Sequence, residues 1–193
     1  RSISAASIGQ VHLAVKNNKR YAVKIQYPGV AESIGSDLAL VKPIASKMFN
    51  IKMNEAEQYF TEVEKKLLEE TDYQIELQQS IEMSEACAKV LDIKFPKYYP
   101  EWSSKKVLVM DFMKGKPLGA YVQKNKSSQA ERNAIGQTLW DFYMFQIHGL
   151  RKVQADPHPG NFLINKKAKL VAIDFGCIKK IPENFYGPTV ATR

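Results

Sequence analysis

The segments Gln154–Asn161 (QADPHPGN) and Asp174–Gly176 (DFG) carry most of the information that this sequence holds about its fold. Asp156 and Asn161 lie five positions apart, and Asp174 follows Asn161 by thirteen positions. A tripeptide such as Asp-Phe-Gly is common in turns and means little alone. The two segments together, at this spacing, are a far more specific signal.

A short β-hairpin is predicted between the two segments. Apolar runs at 162–164 and 170–173 flank the lysine-rich turn 165–169. Short apolar runs separated by a polar turn are typical of paired strands. Such a hairpin can carry the amide oxygen of Asn161 and the carboxylate of Asp174 to opposite sides of one metal site.

Phosphoryl transfer is the chemistry that these residue types favour. It needs a carboxylate at the attacking nucleophile and two oxygen ligands for the Mg²⁺ that sits on the phosphates, and protein kinases supply them at this spacing. Asp156 is therefore the predicted catalytic carboxylate, and Asn161 and Asp174 are the predicted metal ligands. His158 stands between two prolines and is interpreted as a loop histidine held by hydrogen bonds rather than as a base.

An upstream lysine fits the same chemistry. Lys24 lies in a β-like stretch, with Ala22 and Gln26 on its side of the strand and Val23 on the other. Kinases use a strand lysine that holds phosphates and pairs with a helical glutamate. Glu70 ends a helical pattern and falls on its apolar stripe, where an unpaired carboxylate is costly. The alternative is that the helix ends there and leaves Glu70 in solvent.

The loop before the first strand departs from the kinase pattern, since it has no Gly-x-Gly-x-x-Gly. The residues from Ser4 to Gln10 read SAASIGQ instead. Small side chains still permit a close approach to phosphates, although their Cβ atoms restrict positive φ angles. Ala5, Ala6 and Ser7 are the predicted nucleotide contacts in this loop.

The order of predicted elements indicates an α+β fold, because strands and helices are segregated rather than alternating. Asn17 and Asn18 predict a hairpin turn between the first strands. Pro43 is expected to kink or divide the first helix. Ser128 and Glu131 have the spacing of a capping box that opens a long helix, which is expected to stop at Gly149.

The amino-acid composition indicates which classes of partner and which cellular compartment suit the protein. The chain has 193 residues, a formal net charge of +8 without a polybasic block, and two cysteines without framework spacing. This suits anionic partners such as nucleotides or lipid headgroups, and it predicts a reducing compartment, the cytoplasm. No apolar run reaches the roughly 18 to 20 residues that span a bilayer. Because the chain opens on arginine and ends soon after the DFG segment, it is interpreted as a fragment.

Four motifs make the chain resemble the UbiB/AarF atypical kinase family over residues 3 to about 180. They are SAASIGQVH at 4–12, AVKIQYPGV at 22–30, ETDYQIE at 70–76 and ADPHPGNF at 155–162. The resemblance implies a bilobal protein-kinase-like fold, with an N-lobe of antiparallel sheet and inserted helices at 1–112 and a truncated helical C-lobe at 113–193. It also implies ATP/ADP and Mg²⁺ binding, membrane association, and support of isoprenoid quinone biosynthesis.

The resemblance also implies a role for each residue of this chain that matches a functional position in the family's motifs. Lys24 would hold phosphates with Glu70 as its partner, while Glu76 remains an open alternative for that pairing. Met110 and Asp111, before the linker, would flank the adenine. The family's upstream Lys-x-Gly-Gln helix is not in this chain.

Three functions compete at this point. The first is a phosphotransferase or ATPase that works near membranes on quinone precursors or their biosynthetic enzymes. The second is a nucleotide-gated, pseudokinase-like scaffold for lipids or enzymes, which the alanine-rich loop motivates. A small-molecule kinase ranks third, because Gln154 and Ala155 stand where those enzymes carry His-Gly before the aspartate. Protein phosphorylation and nucleic-acid binding are not expected, and the oligomeric state is left open.

Overall fold

The computed structural model describes residues 2–6, 8–49, 53–123 and 127–184. The chain divides into two compact units. The first comprises Arg1–Leu77 and Tyr99–Met110, and the second comprises Gln78–Tyr98 and Asp111–Arg193. The sequence predicted lobes at 1–112 and 113–193, and the last stretch of the second unit begins at Asp111. However, residues 78–98, which the sequence assigned to the N-lobe, pack with the second unit.

The first unit is built on a four-stranded sheet in the order β1-β2-β3-β4, where the strands are β1 (Ser2–Ala6), β2 (Gly9–Lys16), β3 (Lys19–Gln26) and β4 (Val107–Asp111). β1, β2 and β3 pair antiparallel. Asn17 and Asn18 turn the β2–β3 hairpin with φ angles of 50° and 59°. Positive φ at both central residues is the geometry of a type I′ turn, so the predicted hairpin is confirmed.

β3 buries the face that carries Lys24. Ala22, Lys24 and Gln26 are all buried, whereas on the opposite face Tyr21 is buried and Ile25 is 39% exposed. The strand therefore points a lysine ammonium group inward. A buried charge of this kind requires a partner.

Three helices follow β3: α1 (Val30–Phe49), α2 (Met53–Glu70) and α3 (Tyr73–Ala88). α1 is assigned as one helix that continues across Pro43. α2 and α3 are separated at Thr71 and Asp72. The Asp72 carboxylate accepts a hydrogen bond from the backbone N–H of Gln74 (2.9 Å), which caps the new helix.

The second unit combines short sheets with helices. Its elements are β5 (Lys116–Pro117), α4 (Leu118–Gln123), α5 (Gln129–Met144), β6 (Lys152–Gln154), β7 (Phe162–Ile164), β8 (Leu170–Ala172) and β9 (Ile178–Lys180). β5, β7 and β8 form one antiparallel sheet, and β6 pairs with β9. The predicted hairpin of two strands around a lysine-rich turn is thus present, and the α+β class is confirmed.

An apolar core holds this unit together. It takes side chains from α3, the segment after α3, α5, β7, β8 and the DFG segment, namely Met83, Cys87, Ile93, Ile135, Phe142, Phe162, Ile164, Leu170, Ala172 and Phe175. Burial raises the pKa of the Cys87 thiol to about 12, so that this cysteine packs as a neutral side chain.

The long helix begins as predicted and ends differently. Ser128 accepts from the backbone N–H of Glu131 (3.1 Å), and the Glu131 carboxylate accepts from the N–H of Ser128 (2.8 Å). This capping box is confirmed. The helix does not stop at Gly149, because a π-helical segment continues over Phe145–Leu150 and Arg151 takes the left-handed conformation with φ of 50°. Such π segments are frequent at functional sites.

Replacing Ser128 with alanine is expected to destabilise the protein by about 1 kcal/mol, because it leaves the N–H of Glu131 without its acceptor. The melting temperature should then fall by roughly 3 °C. Ser36→Ala is the matched control, since the exposed Ser36 hydroxyl donates only to the nearby carbonyl of Ser33. Thermal unfolding of both variants measures the difference, and equal melting temperatures would show that the cap contributes nothing.

Candidate functional site

Asn161 and Asp174 lie at the same end of the β7–β8 hairpin. Phe162 pairs with Ala172 in the antiparallel register. One step beyond this pair, the N–H of Ile173 donates to the carbonyl of Asn161 (3.0 Å). The residues on either side of the hairpin's open end are thereby tied together, as the sequence predicted.

The side chain of Asn161 is oriented by the preceding loop. Its amide nitrogen donates to the backbone carbonyl of Asp156 (3.0 Å) and to the carboxylate oxygen Oδ2 of Asp156 (3.3 Å). Both bonds use the amide N–H groups, so they leave the amide oxygen Oδ1 as an acceptor. The structure thus brings Asp156 and Asn161 into direct contact, with the Asp156 side chain exposed.

Asp174 is held from two directions. Its Oδ1 accepts from the N–H of Gly176 (2.8 Å), and its backbone carbonyl accepts from the side-chain amide of Gln154. A carboxylate fixed by its own turn and by a neighbouring strand loses little conformational entropy when it binds a cation. Gln154 is itself buried and lies in β6.

Phe175 anchors the DFG segment in the core of the second unit. Its side chain has no exposed area, and its ring centroid lies 5.8 Å from that of Phe95 and 6.3 Å from that of Phe142. A buried aromatic ring is a strong positional constraint on its two neighbours. Asp174 therefore sits at a position that core packing defines.

His158 has the structural role that the sequence predicted. Its Nδ1 accepts a hydrogen bond from the N–H of Gly160 (3.0 Å). A Cβ atom at Gly160 would come within 2.8 Å of that nitrogen, which explains the glycine. The histidine is thus fixed within its own loop.

Tyr143 lies close enough to respond to the Asp156 charge. Burial, and to a smaller extent the Asp156 carboxylate, raises the pKa of the Tyr143 phenol to about 12. Tyr143 consequently stays protonated at neutral pH.

The side-chain oxygens of Asn161 and Asp174 are suitable ligands for a Mg²⁺ ion that is also bound to phosphate. Mg²⁺ prefers oxygen ligands and is often held by one or two carboxylates together with substrate phosphates. The Asn161 amide oxygen and the Asp174 carboxylate are ligands of that kind. Over the described ranges, no cluster of three or more His, Cys, Asp or Glu side chains could hold a metal by itself.

In the first unit, Lys24 pairs with Glu76. The ammonium nitrogen lies 2.7 Å from Oε1 and 2.9 Å from Oε2 of the carboxylate. Lys24 is 5% exposed and Glu76 is 8% exposed. The Lys24 nitrogen also lies 5.1 Å from the ring centroid of Tyr73. Both partners of this ion pair are nearly removed from solvent.

The prediction that Glu70 partners Lys24 was wrong. Glu70 is the last residue of α2 and is exposed, as the alternative interpretation proposed. The apolar stripe of α2 is not a covered face, since Tyr59 is 61% exposed and Leu67 is 36% exposed. A carboxylate on this stripe therefore needs no buried partner. Glu76, the alternative from the family motif, makes the pair instead.

Two contacts place the start of α3 so that Glu76 reaches β3. The side-chain amide of Gln26 donates to the carbonyl of Thr71 (2.7 Å), and the N–H of Tyr73 donates to the carbonyl of Lys105 (3.0 Å). Glu76 then falls in the first turn of α3. A negative charge there is also favoured by the helix dipole.

The structure describes most, but not all, of the other residues that were predicted to contact the nucleotide. Ala5 and Ala6 belong to β1, whose backbone pairs with β2, and Ser7 lies outside the described residues. Met110 is buried at the end of β4, and the N–H of Asp111 donates to the carbonyl of Lys97 (2.8 Å). Their contact with adenine stays a prediction.

Gln146 and Gln154 form a buried hydrogen-bonded pair that holds the backbone at Asp174. The sequence patterns did not predict this pair. The side-chain oxygen of Gln146, which has no exposed area, accepts from the backbone N–H of Gln154 (2.8 Å). Gln154 in turn holds the carbonyl of Asp174. The available signal was a glutamine within the apolar run from Phe145 to Leu150, because a polar side chain among apolar neighbours is usually hydrogen-bonded.

A hairpin that joins a catalytic-loop aspartate to a DFG segment, together with a strand lysine paired to a helical glutamate, defines a protein-kinase-like domain. The complex structure of Rv3197 and erythromycin from Mycobacterium tuberculosis has the same fold. The two superpose with a TM-score of 0.75 at 26% identity, over 94% of this chain and 46% of that one.

The chain belongs to the ABC1 atypical kinase-like domain family, whose model matches residues 1–191. It is 33% identical to the mitochondrial atypical kinase coq-8 of Caenorhabditis elegans and 34% identical to the mitochondrial atypical kinase COQ8 of Schizosaccharomyces pombe. These matches cover 96% of this chain but 25% and 30% of the two relatives. AarF domain-containing protein kinase 1 of Xenopus tropicalis is 30% identical, over 96% of this chain and 36% of that protein.

Proposed function

We propose that this domain belongs to an ATP-dependent atypical phosphotransferase or ATPase that supports isoprenoid quinone biosynthesis at a membrane. The observation that carries the proposal is the hairpin end, where hydrogen bonds hold Asn161 beside Asp156 and fix the turn that contains Asp174. The buried pair of Lys24 and Glu76 supports it, because kinases use such a lysine on phosphates.

Each residue has a distinct role in the proposal. Asp156, whose side chain is exposed, accepts the proton of the attacking hydroxyl or water. Asn161 and Asp174 hold Mg²⁺, which supplies charge neutralisation on the phosphate oxygens. Lys24 contacts the phosphates, and Glu76 fixes the direction of its ammonium group. Ala5, Ala6, Ser7, Met110 and Asp111 are proposed to complete the nucleotide contacts.

The quinone and membrane parts of the proposal rest on relatives. The sequence motifs resemble the UbiB/AarF family, and two of the relatives are named as mitochondrial COQ8 kinases. Within the described part of the chain, no helix is long and apolar enough to cross a bilayer. On the strength of the family resemblance, we propose membrane association in a reducing compartment, with lipid, quinone precursors and biosynthetic enzymes as partners.

The test uses cells that lack the full-length protein and express it again as wild type, as Asp156→Asn or as the control Asp141→Asn. Asp141 is exposed on α5, and its carboxylate accepts from the Gln137 side chain (2.8 Å). We expect wild type and Asp141→Asn to restore quinone levels, measured by mass spectrometry, and Asp156→Asn to accumulate precursors.

Two results would contradict the proposal in different ways. Unchanged quinone levels in cells without the protein would remove the assignment to quinone biosynthesis. Full restoration by Asp156→Asn at normal protein abundance would instead favour the nucleotide-gated scaffold, which needs binding without transfer.

A further inference from the structure

A cavity of about 790 Å³ lies in the second unit at the turn end of the β7–β8 hairpin. Its lining includes Lys114, Lys116, Tyr121, Lys166 and Lys167. Asn161 and Asp174 lie at the other end of the same hairpin. Three residues of strand separate the two ends, a distance of about 10 Å. The cavity is thus a separate place from the predicted metal site.

The cavity is strongly basic. Four lysines and one glutamate, Glu131, line it, which leaves a formal charge of +3. Among the described residues, none of the four lysines has a carboxylate partner. The Glu131 carboxylate accepts from the N–H of Ser128 in the capping box. By contrast, Lys169 of the same turn is paired with Asp92 and does not line the cavity.

The turn that carries Lys166 and Lys167 is internally hydrogen-bonded. The Asn165 side-chain oxygen accepts from the N–H of Lys167 (2.8 Å) and of Lys169 (3.1 Å). Ala168 takes a positive φ of 56° to close it. The two lysines therefore project from a backbone that is already ordered, which lowers the entropic cost of gathering them around an anion.

The other two lysines are brought to the cavity by a close backbone approach. A Cβ atom at Gly115 would lie 2.7 Å from the Cβ of Leu163 and 3.0 Å from the carbonyl oxygen of Ile164. Only glycine lets this segment lie so near β7. Lys116 then pairs directly with Ile164, the last residue before the turn. Two segments about fifty residues apart thus contribute lysines to one wall.

We propose that this cavity binds the phosphate or diphosphate group of an anionic ligand. Lysine ammonium groups act as mobile point charges toward phosphate oxygens. Four of them without carboxylate partners are a concentration of positive charge that a phosphate group would neutralise. The group could belong to a soluble compound or to a lipid headgroup, and the test separates these sources.

The experiment uses the full-length protein and inorganic pyrophosphate as the soluble probe. Lysine acetylation, read by mass spectrometry, reports which side chains pyrophosphate protects. We expect protection at Lys166 and Lys167. In calorimetric titrations at low salt, the double variant K166Q/K167Q should bind pyrophosphate roughly tenfold more weakly at this site. The control K179Q/K180Q removes the same charge from the exposed end of β9 and should stay within about twofold.

A second arm measures sedimentation with phosphatidylcholine vesicles that do or do not contain phosphatidylglycerol. Loss of binding to the phosphatidylglycerol vesicles in K166Q/K167Q alone would identify a lipid headgroup as the source. Protection by pyrophosphate without a vesicle effect would identify a soluble ligand. Equal weakening by both double variants, or no protection at Lys166 and Lys167, would overturn the proposal.

Discussion

Replacing Asp174 with asparagine in the full-length protein is expected to lower the rate of Mg-ATP hydrolysis by roughly 10²- to 10³-fold. The substitution removes one negative charge while keeping the shape of the side chain. Asparagine retains the Oδ1 acceptor for the N–H of Gly176, which Asp174 binds at 2.8 Å. The turn should therefore persist, and the loss should reflect weaker metal binding rather than unfolding.

Asp141→Asn is the matched control for this measurement. It makes the same chemical change in the second unit at an exposed site on α5. Hydrolysis should be measured over a range of Mg²⁺ concentrations, because a weakened metal ligand is partly compensated by excess metal. If Asp174→Asn hydrolyses ATP as fast as wild type, the assignment of Asp174 as a metal ligand fails.

Glu76→Gln is expected to have the second largest effect. The buried ammonium of Lys24 would exchange a carboxylate at 2.7 and 2.9 Å for a neutral amide. We expect a loss of about 2 kcal/mol in the free energy of unfolding, since the buried ammonium keeps a hydrogen-bond acceptor but loses the negative charge that compensates it. If Lys24 then positions the phosphates less well and transition-state stabilisation falls by a similar free energy, kcat/KM for ATP would fall by about 30-fold.

Glu70→Gln distinguishes the two candidate partners of Lys24. Glu70 is exposed at the end of α2, so its substitution should leave the free energy of unfolding and kcat/KM for ATP nearly unchanged. Chemical denaturation and ATP kinetics on both variants provide the comparison. A larger effect from Glu70→Gln than from Glu76→Gln would mean that the observed ion pair is not the functional one.

Local patterns in the sequence predicted the hairpin that joins the catalytic loop to the DFG segment, whereas the catalytic and metal-binding roles of these residues stay predictions. Asp156, Asn161 and Asp174 are close along the chain or are joined by a short hairpin. Residue spacing and turn composition are enough to predict how these segments pair, because a tight antiparallel hairpin leaves few alternative registers. The β2–β3 hairpin at Asn17 and Asn18 and the capping box at Ser128 were predictable for the same reason.

Patterns of apolar residues were less informative about which faces are covered. The stripe on α2 correctly grouped Tyr59, Leu67 and Glu70 on one side of a helix. The further inference that this side of α2 is buried was wrong, because burial depends on which other segments pack against the helix. Periodicity identifies the residues that share a face, whereas burial is a property of the whole fold.

The sequence by itself determined the α+β class, the first hairpin, and the catalytic-loop and DFG spacing. The tertiary structure alone decided that Lys24 pairs with Glu76, 52 positions away, and that residues 78–98 pack with the second unit. It also revealed the support of Asp174 by Gln154. These features depend on where one helix ends and the next begins, and on packing between distant segments, which spacing along the chain does not encode.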